Sequence, residues 1–385
     1  MRQFPLSKIH AQYVKPYNDY MKTRYDEIKF HLGWLSYDIL HDSKFQKKKN
    51  QVIKQALLNY IDELRTHLHR FITMNPSDMN AVVNKIAGHR INKKINVGKI
   101  HLASAELVFE FNRYIYDFKK NCRKQNQKKK DIVWKKKFYE HIVDILEYER
   151  CKKEIIPIYR EMGIKTCVYC NAQYAIGFSK KKSNCATYEF DHFHDKSDWP
   201  CFASTFYNLQ PSCGSCNKKK SNNEYHFSLY SCAKDDFDVV KFQIPSALFS
   251  MFWLKPQKKI LKIKIQECEV NQKNISKSRK KKKEEEKKCV LDELKTKLHL
   301  ENLYQEHIDE IEKIIMRVKS NPLSYQKQLR NAYNNQKLQM FMSFCEFICN
   351  FSEKHDDVYK QPLTKLKQDI FEQFFNITSS GISKK

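Results

Sequence analysis

Apolar residues recur at helical spacing through much of this chain. In Val52–Ile72 the positions Val52, Ile53, Ala56, Leu57, Tyr60, Ile61, Leu64 and Leu68 follow the period of one buried helical face. Asn75-Pro76-Ser77-Asp78 breaks that pattern and supplies a cap for a next helix over Met79–Ile86. Leu102–Phe118 and Val133–Ile156 predict two more helices, the second stopped by Pro157. Helices resume from Leu291. Leu300, Leu303, Tyr304, His307, Ile311, Ile314, Ile315 and Val318 form one stripe, and Leu363, Leu366, Ile370, Phe371 and Phe374 form another that starts just after Pro362.

The middle of the chain reads differently. Across residues 161–232 Cys, Asn, Ser, His and Tyr become dense and no long helical period survives. Val239–Trp253 and Ile260–Ile265 carry short apolar alternations that suggest one or two strands. Asn271–Lys288, with its basic run Arg279–Lys283 followed by Glu284–Glu286, reads as a mobile or helical charged insert. These changes divide the chain into a helical N-terminal domain (1–160), a small site-bearing module (161–232), a stretch of short strands and charged insert (233–290) and a C-terminal helical region (291–385). The fold class expected is mainly α, and α+β overall.

Charge adds a candidate partner. Seventy-one basic against 44 acidic residues give a formal charge of +27 over 385 residues, which attracts a polyanion such as nucleic acid. The excess is nearly all Lys and accompanies abundant Asn and Ile, so charge alone is a modest argument. The basic stretch Lys119–Lys137, with Trp134 interleaved and Phe138 beside it, reads either as a solvated linker or as a phosphate-contacting surface. Among only 7 glycines, none forms a GxGxxG or GxxxxGK[ST] pattern, which excludes a Rossmann or P-loop nucleotide cradle. No apolar run reaches the ~18 residues of a membrane span, and Met1–Tyr20 lacks the apolar core of a signal peptide. A cytoplasmic protein with no membrane partner is expected. Thirteen cysteines, an odd number in a chain too large to need disulfide staples, fit a reducing compartment with some thiolates reserved for metal.

The cysteines also carry the clearest chemistry. Cys167-Val168-Tyr169-Cys170 and Cys213-Gly214-Ser215-Cys216 are two CxxC knuckles, each able to place two thiolates at adjacent corners of a tetrahedron. Together they predict a structural zinc, closed to catalysis because four protein ligands leave no open position. Gly214 suits such a turn. Cys185, Cys201 and Cys232 lie nearby without ligand spacing and read as buried or incidental thiols.

Between and just after the knuckles run Glu189-Phe190-Asp191-His192-Phe193-His194-Asp195, then Asn208-Leu209, then Asn217-Lys218-Lys219-Lys220. This pattern resembles the HNH endonucleases of the ββα-metal type, whose first strand ends in Asp-His, whose loop supplies Asn-Leu and whose helix supplies Asn or His after the second Cys pair. The resemblance implies that His192 activates water, that Asp191 and Asn217 hold a catalytic Mg²⁺ or Mn²⁺, and that Asn208 holds the loop behind His192. Hard oxygen donors suit such an ion. Lys218, Lys219 and Lys220 are the expected phosphate contacts. His194 or Asp195, which stands where the family often has Pro, is an additional ligand or a loop-bonded residue, and Glu189 an ordinary strand residue.

Trp199-Pro200, the run Phe206–Cys213 and the stretch His355…Pro362-Leu363-Thr364-Lys365-Leu366 further resemble bacterial HNH proteins of defence and mobile-element loci. Septu-type anti-phage systems pair such a nuclease with an ATPase, which makes an ATPase an expected partner. The function expected is metal-dependent endonuclease action on nucleic acid, DNA first. The alternative is a non-catalytic zinc protein that binds nucleic acid and carries a vestigial HNH site.

Overall fold

Most of the N-terminal periods fold as helices. The computed structural model describes residues 1–47, 51–89, 115–119, 133–181, 183–221, 225–232, 238–268, 277–320, 328, 349–352 and 354–382. After a two-residue strand β1 (Phe4–Pro5) come α1 (Leu6–Ile9), α2 (Lys15–Lys22), α3 (Tyr25–His41), α4 (Gln51–Thr66), α5 (Leu68–Thr73) and α6 (Pro76–His89). The break at Asn75 is a cap: its Oδ1 accepts the Asp78 N–H at 3.0 Å, and Pro76 opens the helix where no N–H is needed.

The next two expected helices need correction. Leu102–Tyr114 lies outside the described residues, but Ile115–Lys119 is a strand, β2, paired antiparallel with β3 (Val133–Lys137). A β-branched residue and an aromatic, Val133 and Trp134, open the second strand, and five residues are too few to tell the two periods apart. Of the basic stretch, residues 120–132 lie outside the described set, while Lys135, Lys136 and Lys137 belong to β3. Two helices follow, α7 (Phe138–Ile145) and α8 (Tyr148–Glu161), separated at Glu147, whose φ is 56°.

Pro157 does not stop α8. A proline inside a helix leaves the carbonyl four residues earlier without its donor. That carbonyl is Lys153 O, and it accepts the Asn184 Nδ2 at 3.0 Å. Asn184 sits in a hairpin of β4 (Gly177–Lys180) and β5 (Ser183–Ala186) that packs on α8. The approach is close: a Cβ at Gly177 would stand 2.9 Å from Ile156 Cγ2.

A second hairpin, β6 (Glu189–His192) with β7 (Leu209–Ser212), runs directly into a short helix, α9 (Gly214–Lys220). Strand β8 (Tyr230–Ser231) then pairs in parallel with β1. Of the strands expected beyond it, β9 (Val240–Gln243) and β10 (Lys264–Glu267) form an antiparallel pair. Ser246–Leu254, read as part of an alternation, is instead helix α10. It starts after Pro245 and is apolar nearly all round, a pattern in which alternation carries no information. The charged insert is helical from Lys277, as α11 (Lys277–Thr296). The first C-terminal stripe divides at His307 into α12 (Leu300–Gln305) and α13 (Ile308–Ser320), and the second forms α14 (Thr364–Ile382).

One buried cluster takes residues from Met1 to Ile370. The chain start lies inside it: the Met1 amine donates to Val240 O at 3.2 Å, and Phe4 N to Leu229 O at 2.7 Å. N-terminal helices grip the loop between β6 and β7, with Tyr17 Oη on Ser204 O at 2.6 Å and Thr205 Oγ1 on Phe71 O at 2.8 Å. Among the described residues no helix is long and apolar enough to cross a membrane. The architecture is helical with small two-stranded sheets, an α+β arrangement.

Candidate functional site

The first knuckle is built by a tight reversal of the chain. Thr166 and Tyr174 form an isolated bridge, Cys167 N donates to Gln173 O at 2.9 Å, and Asn171 N donates back to Cys167 O at 2.8 Å. In the second, Cys213 stands at the start of α9 and Cys216 one turn in. Gly214 is not required by sterics, since a Cβ there meets only an ordinary 3.5 Å contact with Glu189. The four thiols of Cys167, Cys170, Cys213 and Cys216 converge with ligand atoms within 4.8 Å of one another, all buried.

These residues fit a zinc ion. Zn–S bonds of about 2.3 Å place neighbouring sulfurs about 3.8 Å apart in a tetrahedron. Burial pushes the Cys167 thiol up from its ordinary value, and a central cation reverses that preference by taking thiolates. Cys185, Cys201 and Cys232 stand outside the group, half-buried, buried and exposed respectively.

The staple is tied to the rest of the chain. Tyr304 donates its hydroxyl to Cys170 O. Asn171 lies in the left-handed region at φ 49°. It donates to Val358 O at 2.8 Å and accepts the Lys365 N–H at 3.1 Å, capping α14 across a long sequence gap.

Strand β6 divides the site residues by alternation: Glu189 and Asp191 point to one face, Phe190 and His192 to the other. Asp191 is buried, and both its oxygens are taken. Tyr169, inside the first knuckle, donates its hydroxyl to Oδ2. Lys220 stands 3.1 Å from Oδ1 and donates to His192 O at 2.6 Å. Burial pushes the Asp191 carboxyl up, against the pull of Lys220 and Tyr169. Lys220 is therefore no solvent-facing phosphate contact. Position i+4 from Cys216 puts it on the helix face that turns into the fold, and it is 1% exposed. Lys218 and Lys219 remain exposed, Lys219 with a bond to Leu298 O at 3.3 Å.

His192 lies against Tyr148, ring centroids 4.7 Å apart, with Nε2 3.2 Å from Ala203 O. A carbonyl only accepts, so Nε2 carries the hydrogen and Nδ1 is the basic nitrogen. Burial, with Lys196 nearby, lowers the imidazole to about 3. Asn208 is wholly buried, and its side chain bonds both backbone groups of His194 and also Phe202 O. Asp195 is loop-bonded, with Oδ1 accepting Ser197 N–H at 2.7 Å. The His194 Nε2 is buried without a hydrogen-bond partner.

The expected divalent pair is engaged with other side chains. Asn217 donates its amide to Glu189, while Tyr169 and Lys220 each hold one Asp191 oxygen. With an ammonium on the Asp191 carboxylate and the Asn217 amide turned to Glu189, the pair as it stands does not fit a Mg²⁺ or Mn²⁺ ion. Tyr169 and Gln210 are the site residues that sequence reading missed, along with the inward direction of Lys220. Tyr169 sits between two of the four cysteines and Gln210 between two motif residues, but only the fold reveals what they touch. Gln210 Nε2 donates to Tyr169 Oη at 3.1 Å, and its Oε1 accepts the Leu229 N–H.

No protein-family model, no curated protein and no solved structure matches this chain.

Proposed function

We propose that the chain is an HNH-type endonuclease that hydrolyses phosphodiester bonds of nucleic acid, with DNA the first substrate to try. One observation carries the reading: the β6–β7 hairpin runs straight into α9 over the four-cysteine group, and Asn208 clamps the loop that follows His192. Both features support the ββα resemblance, with zinc as a structural staple. His192 Nδ1 is then the water-activating base and Lys218 and Lys219 the outward phosphate contacts. The motif resemblance also supports a place in anti-phage defence beside an ATPase, and the high Lys content supports the nucleic-acid partner.

A second reading is a zinc protein that binds nucleic acid without cutting it. It is favoured by the pairing of Asp191 with Tyr169 and Lys220 and the deep burial of His192. Plasmid nicking by wild type and His192→Ala, with Mg²⁺, Mn²⁺ or EDTA, separates the two. The nuclease reading expects cutting that the variant reduces about 10²–10⁴-fold. Equal binding by both proteins with no cutting by either selects the second.

A further inference from the structure

Each zinc knuckle places one donor on the Asp191 carboxylate. Tyr169, between Cys167 and Cys170, holds Oδ2, and Lys220, one turn beyond Cys216, holds Oδ1 and the neighbouring His192 carbonyl. We propose that Lys220 is a tethered cation standing where the nuclease reading expects a divalent metal, so that a metal reaches Asp191 only when this ammonium withdraws. The inference rests on that reading solely for the identity of the displaced ion.

Asp191 Oδ1 is an oxygen of the expected metal site, and Lys220 Nζ spans it and the adjacent His192 O at 3.1 and 2.6 Å. An ion at about 2.1 Å from either oxygen would lie against the ammonium, where like charges repel strongly in a buried setting. The lock is held from several sides. Gln210 fixes the Tyr169 hydroxyl, and the Tyr225 ring lies 6.0 Å from Lys220 Nζ, with Lys297 Nζ 5.0 Å from the same ring. Its release has a structural route: Lys220 is the last residue of α9, and Ser221 follows at φ 47°. A phosphate arriving at exposed Lys218 and Lys219 would offer Lys220 a second anion. Polyanion binding and metal entry would then be coupled.

The test is Mn²⁺ titration of the zinc-loaded full chain by electron paramagnetic resonance, with zinc content and melting temperature measured alongside. Lys220→Met is expected to bind one Mn²⁺ about tenfold or more tighter than wild type and to recover melting temperature with the ion. The gain should vanish in Lys220→Met/Asp191→Asn. Wild type that binds Mn²⁺ as tightly as the folded Lys220→Met protein overturns the proposal, as does a folded Lys220→Met protein that gains none. Should Lys220→Met fail to fold, wild type is titrated with and without a short non-cleavable phosphorothioate oligonucleotide. The expected result is a gain in Mn²⁺ affinity with the oligonucleotide that exceeds the gain the same oligonucleotide gives Asp191→Asn, and equal gains overturn the lock. A chain that cuts nothing yet shows the Lys220→Met gain loses the nuclease reading and keeps this one. A chain that cuts while Lys220→Met gains no Mn²⁺ does the reverse.

Discussion

Asn208 holds His194 by both backbone groups: Oδ1 accepts the His194 N–H at 2.8 Å, and Nδ2 donates to the His194 carbonyl at 3.1 Å. The same Nδ2 reaches Phe202 O at 3.1 Å, so one side chain joins the two ends of the loop after β6. Water cannot replace these bonds, because Asn208 is wholly buried. Asn208→Ala should cost about 2–4 kcal/mol of unfolding free energy, by leaving buried backbone groups unpaired. Asn208→Asp should be at least as damaging, since it sets a carboxylate against two carbonyls. Urea unfolding monitored by tryptophan fluorescence measures both, and near wild-type stability in either would remove the clamp.

Zinc removal should reach further than the knuckles. Cys170 O receives Tyr304 and Asn171 caps Lys365, so the four-cysteine group is tied to two C-terminal helices. Chelation, or Cys216→Ser, is expected to abolish the zinc stoichiometry of about one per chain. It should also increase hydrogen exchange at the first amides of α14. Loss of protection limited to residues beside the cysteines would contradict this coupling.

Asn184 and Pro157 should be energetically linked through a carbonyl neither owns. Asn184→Ala removes the donor to Lys153 O, at a cost of about 0.5–1 kcal/mol on this exposed surface. In a Pro157→Ala background the helix regains its own N–H donor, and the cost of Asn184→Ala should shrink. A double-mutant cycle reads the coupling, and strict additivity would refute it.

Acid should weaken the packing of α14 against β9. Lys365 Nζ lies 2.8 Å from Asp238 Oδ1 and 2.9 Å from Asp369 Oδ1. Burial opposes ionisation at Asp238, but Lys365 and Arg2 outweigh it and bring the carboxyl down to about 2. A depressed carboxyl adds stability above its unfolded value near pH ~4, and that stability is lost as pH falls through the folded value. Wild type should therefore lose this contribution between about pH 4 and 2. Asp369 is pushed the other way by burial, so the comparison is made with Asp238→Asn. That variant should be weaker at pH 7 and show a flatter slope across this window. Parallel pH curves would argue against the assignment.

How far the site was legible follows from what each signal depends on. The two CxxC spacings specify local turns, and convergence of their four thiols needed only that the turns meet. The resemblance implied that Asn208 holds the loop, and its side chain bonds both backbone groups of His194. The orientation of Lys220 was not. Three consecutive lysines look alike in sequence, and only the helix phase set by Cys216 sends one of them inward.

Sequence alone determined the helical character of most segments, the cap at Asn75 and the four-cysteine cluster, because periodicity, capping and knuckle spacing are properties of neighbouring residues. Tertiary structure decided what those elements touch. Pro157 continues a helix because a distant Asn184 satisfies Lys153 O, and Asp191 meets an ammonium because both knuckles close over it. A buried hydrogen-bonding group takes whichever partner the packed chain brings within reach, and that partner is set by the fold rather than by sequence distance.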